Sequence, residues 1–226
     1  MIPLPVLFED EDVLIVDKPA GLVVHPTYKN PDGTLLDAIA ARGGRPSVVG
    51  RLDKFTSGIV LIAKRPSVHA ALQRTLTSTA SEKIYLAIVR GVADAWGNID
   101  LPLASDPADR RRRMVSSAGA PSVTMFERFD TGTLDGPAVS LLRCRLVTGR
   151  RHQIRVHLAA RGWPVLGDTV YGGPLAGFAR LALHAWHIAF DHPLTSERLA
   201  ITCAPPIDLL ELAVRCGLNV PASGDA

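Results

Sequence analysis

Continuous apolar runs in this chain stop within six residues, as in Val13–Val16 and Ile59–Ala63, and each is closed by a charge, glycine or proline nearby. Runs of that length, far below the ~20 residues that span a bilayer, suit strands bounded by turns. Nineteen glycines and seventeen prolines among 226 residues supply those turns. With 47% hydrophobic and 21% charged residues the balance is globular, which excludes a disordered or fibrous chain. The length suits one sizeable domain, or two small ones sharing a core.

Read along the chain, Asp12–Pro26 predicts two short strands broken at Lys18-Pro19-Ala20-Gly21. Thr34–Arg42 has helical spacing and a stop at Gly43-Gly44. Ser47–Lys64 reads as strand, polar loop, strand, and the loop is Gly50-Arg51-Leu52-Asp53-Lys54-Phe55-Thr56-Ser57-Gly58. A helix is predicted over Ser67–Leu76 and a strand over Lys83–Val89. Asp94–Pro121 loses periodicity, contains Arg110-Arg111-Arg112-Arg113, and reads as a loop or hairpin. Strands follow at Ser122–Phe129 and Val139–Val147, then a helix in Arg151–Gly162. Strand-like Leu181–Phe190 and Leu199–Thr202 precede a last helix, Asp208–Cys216. One continuous α+β unit over residues 1–226 is the simplest organisation.

The net charge of +3 conceals an uneven distribution. Residues 51–155 carry seventeen basic and nine acidic side chains, whereas both flanking segments are mildly acidic. A basic stretch of this size can attract a polyanion through counterion release, or simply form solvated surface. Cys144, Cys203 and Cys216 are odd in number and far apart, which supports neither a disulfide framework nor a zinc ribbon. The N-terminus lacks a basic segment followed by a long apolar one, so no signal peptide is read there. A cytoplasmic protein without membrane contact is expected.

Asp53 lies in a turn between apolar strands, flanked by Arg51 and Lys54. Nearby cations favour an ionised carboxylate, and loops on a rigid sheet carry many catalytic groups. The commoner role of such an aspartate is to cap backbone N–H groups. In Arg151–His157, a helix starting near His152 would put Arg151 and Arg155 one turn apart on one face. That spacing is unfavourable unless an anion lies opposite, and two solvated arginines are the alternative. His152, His157, His184, His187 and His192 show no metal-ligand spacing. Packed polar positions or RNA contacts suit them better, and no metal is expected. Glycine-rich phosphate cradles are absent, which disfavours a nucleotide cofactor. Arg110–Arg113 reads as a solvated loop or as a phosphate-gripping one.

Taken in order, five segments resemble the RluA-type RNA pseudouridine synthase family. They are LFEDEDVLIVDKPAGLVVHP, GRLDKFTSGIVLIAK, KIYLAIVRG, GRRHQIRVHLAARGWPVLGDTVYGG and LALHAWHIAFDHP, within a match from about Leu7 to Leu210. The resemblance implies a mixed, mostly antiparallel bent sheet with flanking helices and a central catalytic cleft. It implies isomerisation of uridine to pseudouridine in structured RNA, transfer or ribosomal, without any cofactor. By the same resemblance Asp53 is the catalytic aspartate, Tyr85 the aromatic that stacks on the target base, and Arg155 the cation that pairs with Asp53. Arg51 would help hold the RNA after base flipping. Lys54, Lys83, Arg151, His152, Arg110, Arg111, Arg112 and Arg113 are the further RNA-binding candidates. Two positions depart from the pattern: Gly50 replaces the usual His, and Arg151 the usual Thr. The small RNA-binding domain of many relatives is not seen, so the catalytic domain is expected to grip RNA alone, as a monomer.

The chemistry fits these residue types. The reaction cleaves a C–N glycosidic bond, rotates the uracil and rejoins it through carbon. The base must leave its stack, which calls for an apolar or aromatic platform. Glycoside hydrolysis uses two carboxylates because water is the acceptor. Here water must be excluded, and one ionised aspartate beside an arginine is the better fit. Attack on the sugar, attack on the base and removal of a sugar proton are all open to Asp53. The competing readings are a non-catalytic RNA-binding or folding factor and a metal-dependent hydrolase built on the histidines.

Overall fold

The computed structural model describes residues 4–28, 30–43, 45–172 and 175–222. The elements run β1 Val6–Glu9, β2 Val13–Lys18, α1 Leu35–Ala40, β3 Ser47–Val49, β4 Ser57–Ala63 and α2 Pro66–Thr77. There follow β5 Glu82–Arg90, β6 Trp96–Asp100, β7 Leu103–Ser105, β8 Arg113–Val115, β9 Val123–Thr133 and β10 Ala138–Leu146. The chain continues with α3 Gln153–Ala160, β11 Leu183–Asp191, β12 Arg198–Thr202 and α4 Ile207–Arg215. It divides into two compact units, Met1–Glu82 with Ala185–Ala204, and Lys83–His184 with Pro205–Ala226.

In the first unit the strand order is β1-β2-β4-β11, with β3 on β4 and β12 on β11. β4 is buried along its whole length, which is why it reads as an unbroken apolar run rather than an alternation. Leu14, Val16, Val48, Val60 and Ile62 form one apolar cluster with Leu35 and Ile39 of α1 and with Leu22 and Val24. α1 starts at a reciprocal cap: the Asp37 N–H donates to Thr34 Oγ1 (3.3 Å) and the Thr34 N–H to Asp37 Oδ2 (2.9 Å). Its predicted stop includes Gly44, which lies outside the described residues. α2 begins with Pro66, favourable at a first helical position, and buries Val68, Leu72 and Leu76 at four-residue spacing.

The second strand expected after Gly21 does not form. The carbonyls of Val23 and Val24 instead accept from the Leu35 and Leu36 N–H groups at the start of α1 (2.8 and 3.1 Å). Pro26 lacks an N–H, so a ladder there would also miss a donor. Leu22 and Val24 still enter the core, which accounts for the alternation that suggested a strand.

In the second unit the order is β5-β10-β9-β6, all antiparallel, with β7 and β8 as a separate hairpin. Asp94–Pro121 is thus more regular than its sequence suggests. β6 is short and mostly exposed, so polar residues mask its periodicity. α4 buries Leu209, Leu212 and Ala213, and the carbonyl of Cys216 accepts from Thr133 N–H at 3.0 Å, tying the helix end to β9. All three cysteines are buried and outside any disulfide, and burial pushes the Cys144 thiol up to about 12.

Gly58, the second residue of β4, has φ of +105°, and an added Cβ would sit 2.2 Å from the Ala185 carbonyl oxygen. Gly58→Ala is therefore expected to lose roughly 2–4 kcal/mol through backbone strain and overlap. Equilibrium denaturation checks this, and an unchanged midpoint would contradict the close approach.

Candidate active site

In the first unit Asp53 sits half-buried on the turn between β3 and β4. That turn is fixed by a buried cation. Lys18, at the end of β2, is fully buried, and its ammonium donates to the carbonyls of Pro19 (2.8 Å), Leu22 (3.0 Å) and Lys54 (3.2 Å). The Gly21 N–H donates to the same Lys54 carbonyl at 2.8 Å. A buried charge is costly unless hydrogen-bonded, and these carbonyls satisfy all three ammonium protons. The residue after Asp53 is thereby anchored twice, while the Asp53 carbonyl accepts from Thr56 N–H at 3.1 Å. The Lys-Pro-Ala-Gly turn and the aspartate turn hold each other.

Arg51 and Lys54 are exposed beside Asp53. Burial and the Arg51 charge hold His25 below the usual histidine range. Gly50 has φ of +78° with open space around it, a backbone conformation that L-residues rarely adopt. The departure at this position therefore matches its local backbone.

In the second unit Lys83 and Tyr85 alternate on one face of β5, and Tyr85 lies opposite Cys144 of β10. Both are half-buried, and burial lowers the Lys83 pKa. His152 adopts a left-handed conformation, φ +58°, immediately before α3, so the helix starts one residue later than the sequence suggests. This overturns the shared face predicted for Arg151 and Arg155. Arg151 is exposed and donates to the Arg111 carbonyl at 3.2 Å, whereas Arg155 is buried.

Arg155 makes a two-pronged pair with Asp168: Nε to Oδ2 at 2.7 Å and Nη2 to Oδ1 at 2.9 Å. Asp168 Oδ1 also accepts from the Val170 and Tyr171 N–H groups at 2.9 and 3.1 Å. Burial alone would raise the Asp168 pKa, but Arg155 and the two backbone donors hold the carboxyl below its ordinary value. The Arg155 guanidinium lies 5.1 Å from the Tyr171 ring centre, and that of Arg112 lies 5.5 Å from it. Tyr171 Oη accepts from Arg113 N–H at 2.7 Å and lies 2.9 Å from His152 Nδ1.

The second unit therefore gathers Arg111, Arg112, Arg113, Arg151, His152 and Arg155 around Tyr171 and Asp168. Arg110 is exposed in the loop between β7 and β8. Asp168 and Tyr171 were not singled out from sequence, although both belong to the Gly167–Gly172 part of a segment carrying the family resemblance. Gly173 of that segment lies outside the described residues. The available signal was Asp168 itself, the one acid between Asp135 and Asp191, following the basic stretch that holds Arg150, Arg151, Arg155 and Arg161. Two other histidines pack as polar residues: His157 lies 2.9 Å from both Thr124 Oγ1 and the Leu101 carbonyl, and His187 2.9 Å from Thr202 Oγ1.

The family model for RNA pseudouridylate synthase matches residues 12–160. The chain belongs to the RNA pseudouridylate synthase family. It is 41% identical over 234 residues to the ribosomal large subunit pseudouridine synthase D of Xanthomonas campestris, covering 93% of this chain and 69% of that relative. The protein of the same name from Pseudomonas aeruginosa is 39% identical, with 93% and 71% covered. Among solved structures, human RNA pseudouridylate synthase domain containing 4 superposes with a TM-score of 0.75 at 23% identity, covering 96% of this chain and 95% of that one. That likeness bears out the pseudouridine synthase fold expected from the resemblance. The family's reaction is isomerisation of uridine in RNA. Among the described residues no helix is long and apolar enough to cross a membrane.

Asp168→Asn keeps the shape but removes the charge and one acceptor from a buried pair. Its expected cost is about 3 kcal/mol, the scale for breaking such a pair from one side. Because the folded-state pKa is depressed, the wild-type contribution is complete above about pH 4 and declines as pH falls further. The variant should therefore lose stability across neutral pH and show a shallower acid-side decline in urea titrations. Equal stability of the two proteins at pH 7 would count against a structural role for the pair.

Proposed function

We propose that this protein isomerises uridines of structured ribosomal RNA to pseudouridine, with Asp53 as the catalytic carboxylate. The observation that carries the reading is family membership, combined with the fixed placement of Asp53 on a turn anchored through the buried Lys18. The ribosomal substrate rests on the names of the relatives; transfer RNA is the other substrate class for the test. Tyr85 is the platform for the flipped base, and its half-buried ring on a sheet strand supports that role. Arg155 is the catalytic cation, held in one orientation by Asp168. Arg51, Lys54, Lys83, Arg151 and His152 contact RNA. No metal, nucleotide or other cofactor takes part, because the proposed steps are proton and bond rearrangements within one nucleotide. The protein acts in the cytoplasm as a monomer.

Asp53→Asn is expected to abolish pseudouridine formation in unmodified ribosomal RNA while leaving RNA affinity within about twofold, since charge alone is removed. Single-turnover assays with parallel binding measurements check this. Full activity in the variant would eliminate Asp53 as the catalytic group, and binding without turnover in the wild type would favour the RNA-binding-factor reading.

Arg110, Arg111 and Arg112 lie at the exposed end of the β7–β8 hairpin, and Arg111 is paired there with Asp109, whose pKa it lowers to about 2. Replacing the three by alanine is expected to weaken RNA binding. The slope of log K against log salt should fall by about 2, the change expected when three arginines no longer neutralise phosphates. An unchanged slope would exclude the hairpin from the RNA interface.

A further inference from the structure

Tyr171 occupies a junction that the reaction chemistry does not require. Its backbone N–H donates to Asp168 Oδ1 (3.1 Å), the partner of Arg155. Its ring lies against the Arg155 and Arg112 guanidiniums, at 5.1 and 5.5 Å. Its hydroxyl accepts from Arg113 N–H, the first residue of β8. Next to it, Arg151 donates to the Arg111 carbonyl, a second clasp between the hairpin and the turn before α3.

The hydroxyl can serve two partners at once. Arg113 N–H occupies one acceptor position of Oη, and Oη shares a second hydrogen bond with His152 Nδ1, 2.9 Å away. Burial raises the Tyr171 pKa, which keeps the hydroxyl neutral and able to donate while it accepts. One residue thereby joins three things: through its hydroxyl, the hairpin that carries the arginines and the strained residue before α3, and through its backbone N–H, the carboxylate that orients Arg155.

We propose that Tyr171 is a positioning residue that couples the arginine hairpin to Arg155, so that RNA seated on the hairpin holds the catalytic cation in its working orientation. This rests on the proposed synthase activity and on the RNA role of the hairpin. Arg110 and Arg111 are exposed and make none of the contacts to Tyr171 described above, so any effect they have on the chemical step travels through the hairpin backbone.

The test is single-turnover pseudouridine formation at saturating ribosomal RNA, with the dissociation constant measured separately. Four proteins are compared: wild type, Tyr171→Phe, the double variant Arg110→Ala/Arg111→Ala, and all three substitutions combined. Tyr171→Phe keeps the ring and both cation contacts and removes only the hydroxyl. It is expected to lower the saturating rate constant about three- to tenfold, the scale of one lost hydrogen bond, with affinity changed less than the rate. The arginine double variant is expected to lower both affinity and saturating rate. In the combined protein the rate loss should not multiply, because the coupling is already cut. Multiplicative losses, or a Tyr171→Phe protein as fast as wild type, would overturn the coupling while leaving the synthase reading intact. A wild-type protein that forms no pseudouridine in ribosomal or transfer RNA would overturn the activity itself and the positioning role with it.

Discussion

The second unit depends on a buried ion pair whose geometry leaves little freedom. Arg155 and Asp168 are both almost wholly removed from water, with side chains 6% and 0% exposed. Two charges at such a site are costly to desolvate, and their attraction offsets that cost only with close geometry and further hydrogen bonds. Both conditions are met, by the two-pronged contact and by two backbone N–H groups on Asp168 Oδ1. A guanidinium held this way has little rotational freedom, because its planar fork matches one carboxylate orientation. The pair therefore contributes to orientation more than to net stability. For a reaction that must keep a cleaved base in register, fixed orientation is a large part of what a protein can supply.

The first unit solves a similar problem with a buried lysine. Lys18 carries its charge into the interior and donates to three backbone carbonyls. Carbonyls come from the turns themselves, so the charge holds backbone in place, and the backbone so held carries Asp53. In one unit a carboxylate orients an arginine side chain; in the other a lysine orients the turn beneath an aspartate. Neither Lys18 nor Asp168 need touch RNA for these roles. Both would nevertheless resist exchange for apolar residues, because their partners would be left buried and unsatisfied.

Much of this was legible in the sequence because local rules and tertiary packing agree. The helical spacing in Thr34–Arg42 and Ser67–Leu76 and the apolar run Ile59–Ala63 each predict the element observed. Asp53 stood out because polar residues framed by glycines interrupt two apolar strands. The failures arise where a residue's local pattern serves a non-local contact. Leu22 and Val24 alternate like a strand, yet their segment serves the start of α1. Arg151 and Arg155 have helical spacing, but the left-handed His152 separates them and no periodicity reports a single positive φ. Asp168 and Tyr171 matter through partners thirteen to nineteen residues away or more, which spacing along the chain does not reveal.

The uneven charge takes on a more specific meaning in this arrangement. Of the seventeen basic side chains in residues 51–155, several serve the interior or the fold: Arg155 is buried against Asp168, and Arg113 hydrogen-bonds Ser105 while its backbone binds Tyr171. The exposed remainder includes Arg110, Arg111, Arg112 and Arg151, joined at the hairpin and the turn before α3. Phosphates gripped by these side chains would add affinity without reading sequence. A target uridine would then be selected through RNA shape and the ability of one base to leave its stack, since unpaired or weakly stacked bases cost least to extrude. Surplus charge on a hairpin clasped to the Arg155 site would make binding and alignment one event, because a loop that met the phosphates would be bonded to the residue that stacks beside Arg155.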